Sequence, residues 1–130
     1  MSPDNSATIA PGADVYFSQD GPNSSNLITR ESSKKFSLTE IRTYLIMFQV
    51  SVKEAGQLLI TLNNNELDYT VSGRATGTSQ IYQTSIITTT SSSSLLSIRN
   101  PQTEAATLTI SPLAGGTEPV SAHLFIIKLQ

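Results

Sequence analysis

The chain has no cysteine, no tryptophan and a single histidine, and charged side chains occupy only 14% of its 130 positions. Without thiols there is no disulfide framework, no thiolate nucleophile and no sulfur-ligated metal, so stability has to come from packing. One histidine, His123, leaves no ordinary catalytic triad or zinc set to assemble. The eight Lys and Arg residues (Arg30, Lys34, Lys35, Arg42, Lys53, Arg74, Arg99, Lys128) are scattered along the chain, so nothing resembles the electrostatic footprint of a nucleic-acid binder. Apolar runs stay far below the ~18 residues that span a bilayer, and the opening MSPDNSATIAPGA shows neither the basic nor the apolar region of a secretory signal. Nucleic acid and membrane are therefore not expected as partners.

Other sources of chemistry are equally thin. Glu66 and Asp68 lie two apart beside the Asn63-Asn64-Asn65 turn, which places both carboxylates on one strand face. Such a pair offers oxygen ligands for calcium, but a solvated strand face explains it without a metal. Gly73-x-x-x-Gly77 and Gly115-Gly116 lack the following helix whose backbone donors would cradle a phosphate. We expect no catalytic residue, no cofactor and no metal, and thus no enzyme.

What the sequence does contain is hydroxyl side chains and regular apolar alternation. At 38% hydrophobic residues the chain can fill one core, and 130 residues suit one domain. The apolar period is two, not 3.6, which predicts strands throughout. In Ile41 to Lys53, Tyr44, Ile46, Phe48, Val50 and Val52 point to one side, the expected core, while Leu45, Met47, Gln49, Ser51 and Lys53 point to the other. A turn at Lys53 to Gly56 leads to a strand from Gln57 to Asn63, with Leu58, Ile60 and Leu62 on one face. The asparagine triplet, tolerant of positive φ, predicts a tight hairpin into Glu66 to Ser72, with Leu67, Tyr69 and Val71 inward. Ser79 to Thr90 is β-branched and long, and Ser91 to Ser94 is its turn. Leu95 to Asn100 and Ala105 to Ser111 are expected to pair around Asn100-Pro101.

The last strand, Val120 to Leu129, is apolar on both sides: Ala122, Leu124 and Ile126 on one, Phe125, Ile127 and Leu129 on the other. In a small antiparallel protein this predicts a cover for the outer face, and a second copy of the chain is the economical one, with a loop of the same chain as the alternative. Leu45 and Met47 make the same demand. Residues 1 to 12, with Pro3, Pro11 and Gly12 and one large aliphatic residue, Ile9, read as a flexible leader, so the fold is expected to begin at about Ala13 and run from 13 to 130. Nine or ten short strands predict an all-β, antiparallel sandwich, a jelly roll among the possible topologies.

Several segments carry a resemblance: APGADVYFSQDGP, TYLIMFQVSVKEAGQLLITLNNNEL, SGRATGTSQI, LLSIRNP and TLTISPLAGGTEPVSAHLFIIKL. Together they resemble the C-terminal head domain of Bacillus collagen-like exosporium glycoproteins, over nearly everything after residue 10. That family is similar to the globular heads of complement and tumour-necrosis factor, which implies a ten-stranded jelly roll forming a tight homotrimer. It also implies an extracellular location on the spore surface, in the exosporium or an endospore appendage, reached by mother-cell deposition rather than secretion, among other spore-surface proteins. The family's Gly-X-Y stalk is missing here, which leaves an excised head or a stalkless appendage subunit, and the opening Met1 with the leader after it makes the stalkless subunit the expectation.

These implications yield specific expectations. Leu45, Met47, Phe125, Ile127 and Leu129 form the trimer interface. Thr8, Ile9, Ala10 and Pro11 connect trimers head to tail, since a heterologous contact that does not close gives a filament. A threefold axis would also gather three copies of His123, a remote metal candidate. The Thr88 to Ser94 run, TTTSSSS, is where O-linked sugars would attach. The alternative function is an adhesin or ligand-binding head acting through loops 20 to 26, 73 to 78 and 112 to 119, which hold few of the aromatic and charged residues that make binding hot spots.

Overall fold

A computed structural model describes residues 8–23, 26–75, 79–111 and 122–129, and these are all-β, with ten strands and no helix. The strands are β1 (Thr8–Ile9), β2 (Ile28–Arg30), β3 (Phe36–Leu38), β4 (Thr43–Val52), β5 (Gly56–Leu62), β6 (Asn65–Arg74), β7 (Ser79–Thr88), β8 (Ser94–Arg99), β9 (Leu108–Thr109) and β10 (Ala122–Lys128). Three antiparallel sheets result: β10-β4-β7, β2-β3-β8-β5-β6, and the short pair β1-β9.

The alternation read in the sequence of β4 organises the core. Tyr44, Ile46, Phe48, Val50 and Val52 are fully buried and meet Leu58 and Ile60 of β5 and Leu96 and Ile98 of β8 from the larger sheet. Two sheets thus share one apolar layer, a β-sandwich in which each fully buried large side chain contributes about 1.5–3 kcal/mol. Lys53 to Ala55 does not close a hairpin but carries the chain from one sheet to the other. The Glu54 carboxylate ties down this crossing by accepting from the Thr109 N–H at 2.7 Å and the Thr109 hydroxyl at 2.6 Å.

The hairpin β5-β6 turns on two residues, Asn63 and Asn64, at φ of 52° and 68°. Both central positions are left-handed, the type I′ geometry that suits the twist of the flanking strands and that asparagine tolerates best after glycine. The Asn63 side chain also accepts the Leu95 N–H at 3.0 Å, linking the turn to β8.

Three expectations are corrected. In β6, Tyr69 and Val71 are exposed and Thr70 is buried, because the β5-β6 register shifts between Leu58, opposite Ser72, and Ile60, opposite Leu67. Three extra β6 residues, an odd number, reverse the side-chain phase. The segment after Pro101 does not pair with β8, whose two neighbours are β3 and β5; β9 instead pairs with β1. Finally, the fold begins before Ala13. Ile9 is 3% exposed within the core, its carbonyl accepts from the buried Asn100 side chain at 2.9 Å, and the Gly12 N–H reaches the Asn100 carbonyl at 2.7 Å. Residues 1 to 7 of the expected leader lie outside the described residues.

Candidate interaction face

Each strand of the β10-β4-β7 sheet turns one side chain in two away from the core. The cross-strand register sets these in rows: Ile127 beside Leu45 beside Ile86, Phe125 beside Met47 beside Thr84, and His123 beside Gln49 beside Tyr82. Leu129 extends the patch just past β10, with its N–H held by the Thr43 carbonyl at 2.8 Å. Phe125 is 54% exposed, Ile86 58% and Leu129 47%, whereas Leu45 and Met47, in the middle strand, are half-buried between their neighbours. The result is an apolar outer face with no Asp, Glu, Lys or Arg in its three rows.

The outer side of the five-stranded sheet is different in kind. The Thr61 and Ser97 hydroxyls bond each other, Ser97 donates to Asp14 at 3.0 Å, and Arg99 closes a 2.7 Å salt bridge on the same carboxylate. Polar groups there satisfy one another, and Asp14 and Val15, laid along β8, help to bury Thr61 and Ser97 to 1% exposure within the chain. Burying the first two rows of the β10-β4-β7 face, by contrast, removes Ile127, Leu45, Ile86, Phe125 and Met47 from water with Thr84 the one polar side chain among them.

No protein-family model matches this sequence, and no curated protein matches it. The likeness to exosporium heads stands on its quoted motifs alone.

All five residues expected at the interface fall on this one face. Tyr82 and Ile86 of β7 belong to it too and were missed; the phase of β7 could have revealed them, since Ile81 and Ile87 are buried at the opposite parity. The expected connector residues are elsewhere. Thr8 and Ile9 form β1, the Ala10 carbonyl accepts the Ala13 N–H at 2.9 Å, and Pro11 begins the turn into Gly12. Because Ile9 fills its own core, it is not free to enter a neighbour.

Of the metal candidates, Glu66 is engaged as an acceptor for the Gln102 N–H at 2.9 Å. Among the described residues no three His, Asp or Glu side chains gather into a metal-sized group. His123 sits on the outer face, in the row with Gln49 and Tyr82. Of the loops considered for ligand binding, residues 24–25, 76–78 and 112–119 lie outside the described residues.

Proposed function

We propose that this chain is a structural, self-assembling subunit that buries the outer face of β10-β4-β7 between copies of itself, as a homotrimer of jelly rolls at the spore surface. The observation that carries the reading is the apolar face itself. Phe125, Ile127, Leu129, Leu45, Met47 and Ile86 stand side by side on three adjacent strands and gain about 25 cal/mol for each Å² of apolar area removed from water. A threefold ring brings two different stretches of neighbouring copies together, which suits a face with no charge pattern to match.

The jelly-roll topology is supported by strand order. Between β3 and β8 the chain changes sheet at every step except the β5-β6 hairpin, with β4 and β7 in one sheet and β3, β5, β6 and β8 in the other, crossings of the kind a Greek key uses. The number three and the spore-surface location come from the resemblance. Head-to-tail stacking through Ile9 is not part of the proposal, since it requires extracting a core residue.

Light scattering on a sizing column tests the assembly. The wild type is expected at three times the protomer mass and Phe125→Asp as monomer or aggregate. A wild-type protomer eluting alone at micromolar concentration overturns the proposal, as does an intact Phe125→Asp trimer.

A further inference from the structure

The one histidine of the chain stands on the outer face of β10-β4-β7, in the row directly beside Phe125, Met47 and Thr84. His123 is exposed in the single chain. It lies two residues from Phe125 on the same strand and therefore on the same side of the sheet. A contact that seats Phe125 against a neighbouring copy brings that copy to His123 as well.

The surroundings suit a neutral imidazole and give a charged one no counter-ion of its own. On β4 its cross-strand partner is the Gln49 amide; beyond it Ser51 is buried, and Lys53, past the end of the strand, is itself a cation. On β7 the titratable group in its row is Tyr82, whose hydroxyl shares a 2.6 Å hydrogen bond with that of Thr84, and the strand holds no Asp, Glu, Lys or Arg. Along β10 the outward neighbours are Phe125 and Ile127, with Lys128 at the far end. The groove beside β10, lined by His123, also contains Asp20 and Arg30, and these two answer each other's charge in a salt bridge at 2.7 Å.

We infer that protonation of His123 opens the contact between copies, so that assembly on this face is controlled by pH. The inference rests on the self-association proposed above. Taking an imidazolium out of water without a partner is costly, and a homotrimer incurs that cost three times while setting like charges on one buried surface. The contact therefore selects the neutral form. Separated copies bind protons more readily than assembled ones, so association is strongest above the imidazole range and weakens as pH falls through it. With one proton taken up per copy, the association constant of a trimer falls by up to about a thousandfold for each pH unit below that range.

Light scattering on a sizing column, run at one micromolar concentration from pH 8 to pH 5, tests this. The wild type is expected as trimer at pH 8 and as protomer at pH 5. His123→Gln, whatever its affinity at pH 8, is expected to hold the same state down to pH 5, and His123→Lys, charged throughout, to run as protomer already at pH 8. The Glu54 carboxyl titrates below its ordinary value of 4.5, so the strand signal in circular dichroism should persist at pH 5; its loss would assign the dissociation to unfolding and overturn the inference. A wild-type trimer intact at pH 5 overturns it too, as does a trimeric His123→Lys. So does a His123→Gln variant that follows the wild-type pH profile or fails to assemble at pH 8, since the imidazole would then serve by something other than its proton. The assembly reading itself fails in a different arm, through a lone wild-type protomer at pH 8.

Discussion

Ile60 donates its backbone N–H to the hydroxyl of Thr70 at 2.8 Å, and that hydroxyl in turn donates to the Leu67 carbonyl at 2.7 Å. A side chain thus stands in for the backbone partner that β5 loses where β6 slips out of register. The site is fully buried, and an unmet donor there has no water to turn to.

Thr70→Val keeps the shape and removes the acceptor. It is expected to destabilise the fold by about 1–3 kcal/mol, seen in urea unfolding as a lower midpoint at unchanged slope. Thr70→Ser, which retains the hydroxyl, should recover most of the loss.

Arg99 and Asp14 pair at 2.7 Å with side chains only 13% and 8% exposed. Arg99→Met takes the charged donor away from the shielded Asp14 carboxylate, which the Ser97 hydroxyl still meets. The expected loss is about 3 kcal/mol, measured by thermal or denaturant unfolding.

Glu54 gives the fold a pH dependence. Burial alone pushes its carboxyl upward, but the side-chain and backbone hydrogen bonds from Thr109, with Lys53 nearby, outweigh that and hold it below the usual carboxylate value. A depressed folded value means that the unfolded chain binds the proton more readily. The stabilisation is therefore complete above the ordinary value near 4.5 and is lost as pH falls through the depressed one. Unfolding followed between pH 7 and pH 3 should show this decline, and Glu54→Gln should flatten it.

Ile86 lies on β7, in one row with Leu45 and Ile127. Ile86→Glu is expected to break self-association as Phe125→Asp does while leaving secondary structure intact by circular dichroism, because the side chain is already exposed in the single chain. An assembly indifferent to the charge at Ile86 would confine the contact to β4 and β10.

Much of this was legible in residue pattern. Tyr44 to Val52 alternates, so side-chain phase could be read straight from it, Ala122 to Leu129 is apolar on both sides and signalled an outer face in need of cover, and the asparagine turn announced its own φ. Tyr69 and Val71 were misread because a bulge changes phase without a glycine or proline to mark it; only Thr70, a polar residue among apolar ones, hinted at it. The pairing of β9 with β1 joins residues about a hundred positions apart, and no local signal encodes it. Ile9 looked like a leader residue because its short segment is rich in turn formers, yet one well-placed aliphatic and the Asn100 side chain are enough to anchor it.

The hydroxyl network across Thr61, Ser97 and Asp14 is shut away from water, the first two residues at 1% exposure each and the Arg99 and Asp14 side chains at 13% and 8%. A shielded ion pair is screened far less than one on the surface. Added salt therefore has little hold on this corner of the sandwich.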